Sequence, residues 1–147
     1  MPIINSSDQP SQTLEEFYTK LAEESTNLYA EVGKNMLLVV QLINDLFRNT
    51  TLWGLTSHAR LVLQNKDSWK EDWLVIISNA GTATFSFEYL MPNGVSPWPL
   101  AYVRGTAETF DEVKKYLVIA MNKSGGWAGN PELAKLLEET ELSLGQG

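Results

Sequence analysis

Seven side chains in the middle of the chain are of types that do chemistry: His58, Arg60, Trp73, Ser86, Glu88, Tyr102 and Arg104. His58 is the single histidine. Imidazole titrates near neutrality and ligates iron, so His58 is a candidate general base or axial haem ligand. Arg60 and Arg104 are candidates to hold a carboxylate or phosphate between two guanidinium groups, with Glu88 as the counter-charge. The competing reading is a set of cross-strand ion pairs on a sheet surface, each worth under ~1 kcal/mol. Ser57 precedes His58, but neighbouring strand residues point to opposite faces, which works against a serine–histidine pair. A nucleophile elbow is also absent, since "GVSPW" lacks the second glycine. There is no cysteine, which removes thiol catalysis, zinc–thiolate sites and iron–sulfur clusters. The acidic pairs, such as Glu23-Glu24 and Glu138-Glu139, fall in helical stretches with no EF-hand spacing. "SGGWAGN" follows a helix rather than a strand and is a poor phosphate cradle. No catalytic constellation emerges, so the sequence leans towards a non-enzymatic protein. No cofactor is expected, and a haem contact through His58 is the one route left open.

The elements that must position these residues are strands. "LTSHARLVLQ" alternates with period 2 and reads as one strand over 55–64. "DWLVIISNAGTATFSFEYLMP" reads as a hairpin turning at Asn79-Ala80-Gly81-Thr82, where Gly81 can take a positive φ. "LAYVRGTA" is a fourth strand, reached through the turn-rich "MPNGVSPWP". Pairing as a meander sets Leu74 opposite Phe87 and Ile76 opposite Phe85 on one face, against helices. The reverse face then carries Val62, Trp73, Val75 and Ile77, flanked by Arg60, Glu88 and Arg104, with Ser86 and Tyr102 in the same grid and His58 near one end. Large apolar residues on both faces of a central strand need a cover. The candidates are the C-terminal helix with Leu133, Leu136 and Leu137, the 91–99 loop with Trp98, a second subunit, or a small ligand.

Helices flank the strands. "TLEE" and "TFDE" have capping-box spacing, and "NPEL" places an N-cap asparagine before a proline at N1. Residues 14–49 read as two helices broken near Gly33 or one helix bent there. The run "MLLVVQLINDLF" is apolar on most sides and calls for burial inside the domain or between two copies. The expected fold is α+β: a four-stranded antiparallel meander with N-terminal and C-terminal helices packed mainly on one face. One domain over 11–140 is expected, with a disordered stretch at 1–10 and a frayed tail at 141–147.

The chain's 147 residues are enough for a core that needs no disulfide or metal. Eleven basic against 18 acidic residues give a net charge of −7, with no cluster of bases, so phosphate backbones and anionic lipid would repel it. The most apolar run is too short and too polar to span a bilayer, and "MPIINSSDQPSQ" lacks the regions of a signal peptide. A cytoplasmic protein is expected, binding neither nucleic acid nor membrane. The function class that fits is a protein-interaction or regulatory module, expected as a homodimer or other homo-oligomer. The alternative is a small-ligand-binding domain using the Trp73 face, for haem or a molecule bearing carboxylate or phosphate.

Overall fold

The computed structural model describes residues 4–5, 13–24, 26, 28–66, 74–92 and 94–145. Its elements are β1 (Ile4–Asn5), α1 (Leu14–Glu24), α2 (Leu28–Leu46), β2 (Trp53–Ser57), β3 (Arg60–Gln64), β4 (Val75–Asn79), β5 (Phe85–Leu90), β6 (Tyr102–Ala107), α3 (Phe110–Lys123) and α4 (Pro131–Gly145). The fold is α+β. Strands β2 to β6 form an antiparallel meander in sequence order, and β1 pairs in parallel outside β2. The main core joins Leu61, Leu63, Ile77, Phe87 and Ala107 of the sheet to residues of all four helices, so the helices lie on one face.

Local chemistry sets the helix ends. The Glu16 and Glu112 backbone N–H groups donate to the Thr13 and Thr109 hydroxyls, at 3.0 and 3.2 Å. The Leu133 N–H donates to Asn130 at the start of α4. Gly125, at φ +77, follows the last turn of α3, a conformation that glycine adopts without strain. Helix α1 ends at Glu24 and α2 begins at Leu28, so the two helices are not divided near Gly33. Gly33 is inside α2, where a Cβ would lie 2.5 Å from the Ala22 nitrogen and 2.7 Å from the Tyr18 carbonyl. It marks the closest approach of two helices. Helix α2 buries Val32, Met36, Val39, Val40 and Ile43 while Leu38 stands exposed, so most of its wide apolar arc is consumed within the domain.

Two strand expectations are corrected. The stretch "LTSHARLVLQ" is a hairpin, which gives five antiparallel strands instead of four. Ser57 pairs with Arg60, and the two residues between them, His58 (φ 52) and Ala59 (φ 66), both adopt positive φ. That is the type I′ pattern, ordinarily filled by Asn-Gly, so no turn signal marks it in the sequence. Tyr18 of α1 reaches across and donates its hydroxyl to the Ala59 carbonyl at 3.0 Å. Its ring is fully buried, and burial pushes the phenol well above its ordinary range.

The β4–β5 register also differs. Val75 pairs with Tyr89 and Ile77 with Phe87, rather than Leu74 with Phe87 and Ile76 with Phe85. The partner has moved by three residues, and an odd shift turns a strand over. Val75 and Ile77 therefore join Phe85 and Phe87 in the helix-side core, and Ile76 goes to the reverse face beside Glu88. The cause is the loop 80–84. Asn79 accepts from the Gly81 N–H (2.8 Å) and donates to the Thr82 and Thr84 carbonyls (2.9 and 3.1 Å). Asn35 of α2 binds Asn79 and the Thr82 carbonyl, both at 3.1 Å, and Gly81 (φ +85) packs against Leu28.

At the termini, Ile4–Asn5 is a strand within the stretch expected to be disordered, while residues 1–3 and 6–10 lie outside the described residues. Helix α4 continues past 140 to Gly145, where a frayed tail was expected.

Candidate functional site

The reverse face carries one row of directly paired residues across the whole meander: Leu55, Val62, Ile76, Glu88 and Arg104. It runs from apolar to charged. At its charged end Arg104 donates to the Ser86 hydroxyl at 3.3 Å, and its Nε lies 3.7 Å from a Glu88 carboxylate oxygen. Tyr102 is on the same face of β6, two residues away, and is exposed. Ser86, Glu88, Tyr102 and Arg104 are thus brought together, though the Arg104 guanidinium is largely in solvent.

Arg60 does not join them. It sits on β3, three strands from β6, which at ~4.8 Å per strand is roughly 14 Å away. It donates back to the Ser57 carbonyl across its own turn. Two guanidinium groups at that separation do not clamp one small anion. His58 is exposed at the tip of the β2–β3 turn, and Trp73 lies outside the described residues. Among the described residues, no group of three or more His, Asp or Glu converges as metal ligands. Val62 and Ile76 of the reverse face are buried, although the two intramolecular covers expected for that face are placed elsewhere. Leu133 and Leu136 of α4 belong to the helix-side core, and Trp98 is 67% exposed.

A more distinctive surface, to which Val95, Leu100, Val103 and Phe110 contribute without having been singled out from the sequence, lies at the edge of the sheet. Strand β6 is the last strand, and no other strand pairs with its outer side among the described residues. Met91 donates to the Ala101 carbonyl directly opposite it (2.9 Å), which sets the alternation of the ladder. Val103, Gly105 and Ala107 turn their backbone groups towards β5, and Arg104 and Thr106 turn theirs outward. Nine large apolar side chains are exposed among the described residues, and six of them flank or belong to this strand: Val95, Trp98, Leu100, Tyr102, Val103 and Phe110. On the helix side, β6 and α3 part to leave a cleft of about 210 Å³. Phe87, Tyr89, Val103 and Gly105 form its floor, with Tyr116 and Ile119 of α3 as its wall.

No protein-family model, curated protein or solved structure matches the chain.

One signal for this edge was available in the sequence. Between Glu88 and Glu108, Arg104 is the only charged residue in a chain that is 20% charged. Natural sheets blunt exposed edges with charges, prolines or bulges. Strand β6 has one arginine, already committed to Glu88 and Ser86, and no proline. The opposite edge is treated differently, because the two-residue β1 covers β2 at Trp53–Gly54.

Proposed function

We propose that this protein is a non-enzymatic interaction module that associates by adding a strand from another molecule to the outer edge of β6, with a homodimer as the form expected. The observation that carries the reading is a coincidence in one place. The outward backbone groups of Arg104 and Thr106 lie where the exposed apolar residues concentrate and where charge is nearly absent. Strand addition draws affinity from main-chain hydrogen bonds and specificity from alternate side chains entering a pocket. The cleft beside β6 supplies such a pocket. At about 210 Å³ it is smaller than the ~300–1,000 Å³ usual for small-molecule sites, which favours protein side chains as its occupants. The polar set Ser86–Glu88–Arg104 serves here as a neutralised border to the edge rather than as a reaction centre.

The test uses a substitution that blocks the edge without cutting the existing ladder. The Thr106 N–H points away from β5, so Thr106→Pro removes an outward donor and spares the β5–β6 bonds. Thr106→Ala keeps the donor and is the control. In sedimentation across a dilution series, wild type and Thr106→Ala are expected to show a monomer–dimer equilibrium. Thr106→Pro is expected to stay monomeric, with its circular dichroism retained. A folded Thr106→Pro that associates like wild type would refute strand addition at β6.

A further inference from the structure

We infer that the partner at β6 is a second copy docked antiparallel about a two-fold axis through Gly105, so that Leu100 of each copy meets Phe110 of the other. This rests on the reading of β6 as a docking edge and adds the register and the contacts.

A strained turn precedes β6. The Ala101 N–H donates to the Trp98 carbonyl at 3.3 Å, closing a four-residue turn with Pro99 and Leu100 in its centre. Leu100 has φ 61. A positive φ after proline is the type II pattern, and its third position is normally glycine. A branched residue is disfavoured there, and Leu100 gains no burial in return, being 61% exposed. The strained backbone holds an apolar side chain out beside the start of β6. At the other end of the strand Phe110 is likewise exposed, on the first turn of α3. One copy leaves these two apolar groups apart, at opposite ends of β6. Antiparallel pairing of two identical strands brings the start of each beside the end of the other, which gives an isologous contact.

The register follows from the ladder. An axis perpendicular to the sheet keeps both helix layers on one side, so directly opposed residues come from the same face. Centring on Arg104 would set two arginines directly opposite, which like charges disfavour. Centring on Val103 would leave the outward groups of Thr106 facing a turn. Centring on Gly105 sets Arg104 opposite the second copy's Thr106, and the outward groups of both residues exchange hydrogen bonds in both copies. It also aligns Leu100 with the second copy's Phe110.

The helix layer agrees with this placement. Helix α3 packs on both β5 and β6. With strands about 4.8 Å apart, the α3 helices of the two copies come to lie roughly 10–14 Å apart, and the near end of that range is normal helix–helix spacing. Tyr116 and Ile119, which wall the cleft in one copy, then face their counterparts, and Gly105 at the centre adds no side chain between them. Two chains of charge −7 repel, and the charge-poor segment around β6 is where they can approach most closely.

Because the chain has no cysteine, single-cysteine variants report the arrangement directly. Leu100→Cys and Phe110→Cys are prepared separately, mixed as dimers, allowed to exchange and oxidised mildly. The mixed Leu100→Cys/Phe110→Cys disulfide is expected to exceed either homodisulfide severalfold, and adding Thr106→Pro to both chains is expected to abolish it. A dominant Leu100→Cys homodisulfide, or no crosslink in a preparation that sedimentation shows to be dimeric, would overturn the two-fold arrangement while leaving strand addition intact. A wild type that stays monomeric at every concentration would overturn both. Leu100→Gly provides a second readout: dimer dissociation is expected to rise at least tenfold while the melting temperature of the dilute monomer does not fall. Loss of both together would show that Leu100 serves the fold of the loop and would refute its role at the interface.

Discussion

Tyr18 connects the first helix to the first hairpin through one atom. Its hydroxyl is the partner of the Ala59 carbonyl in a turn whose two central residues both sit at positive φ without being glycine. Tyr18→Phe keeps the ring packing and removes the hydrogen bond, so a loss of about 1 kcal/mol in urea unfolding is expected. The pH dependence has a definite sign. Burial raises the phenol, so the folded chain holds its proton after the unfolded chain has begun to lose it near pH ~10. The stability from the neutral phenol is complete below that pH and declines as pH rises through the alkaline range, by up to ~1.4 kcal/mol per pH unit. Wild type should therefore lose stability more steeply above pH ~10 than Tyr18→Phe does. Parallel curves would show that Tyr18 is not held neutral. The Glu88–Arg104 pair is a contrasting case. Its arginine is mostly in solvent, and Glu88→Gln should change stability by less than ~1 kcal/mol.

Among the elements, the α1–α2 pair is the most sensitive to a single added methyl. At Gly33 the atoms that a Cβ would strike are backbone atoms of α1, which cannot rotate aside. Gly33→Ala is expected to cost ~1–3 kcal/mol by forcing the helices apart, although alanine favours helix formation. A thermal melt compared with wild type checks this, and an unchanged or raised midpoint would refute the close approach. The same pair shows what the sequence allows one to read. Thr13, Thr109 and Asn130 announce their helices because capping is a matter of three or four consecutive residues. Gly33 has the composition of a break, and only the position of a second helix makes it a crossing point. The hairpin obeys the same division. Phe85, Phe87 and Tyr89 alternate legibly, and they do face the helices. The face of Val75 and Ile77 depends on the length of the 80–84 loop, which Asn35 sets from a helix 44 residues away from Asn79. The β2–β3 turn carries no glycine or asparagine at its centre. Its αL residues are held by Tyr18, a contact that no local pattern encodes.

For the molecule as a whole, most of the exposed apolar surface lies in the charge-poor segment around β6, and association should show it. Two chains of −7 repel at low ionic strength, while the proposed contact involves mainly neutral groups. Raising salt from ~10 to ~150 mM shortens the screening length to about 8 Å and is expected to tighten the dimer. Sedimentation at the two salt concentrations checks this, and weakening with salt would point to an interface built on opposite charges. The legibility of the site divides along the same line. The cluster Ser86, Glu88, Arg104 and Tyr102 could be gathered from strand alternation, because β5 and β6 are neighbours in sequence and in the sheet. The edge itself could not, since which strand is last is a property of topology. Among the described residues, no helix is long and apolar enough to cross a membrane.

The short parallel strand β1 has a consequence for stoichiometry. A sheet with two open edges can recruit at both and grow into a ribbon without limit. Here the β2 edge carries a two-residue parallel strand over Trp53–Gly54, and in the proposed dimer the β6 edge is occupied by the second copy. On the proposed reading assembly is expected to end at two copies, because an edge strand as short as β1 offers little backbone for a further strand to pair with.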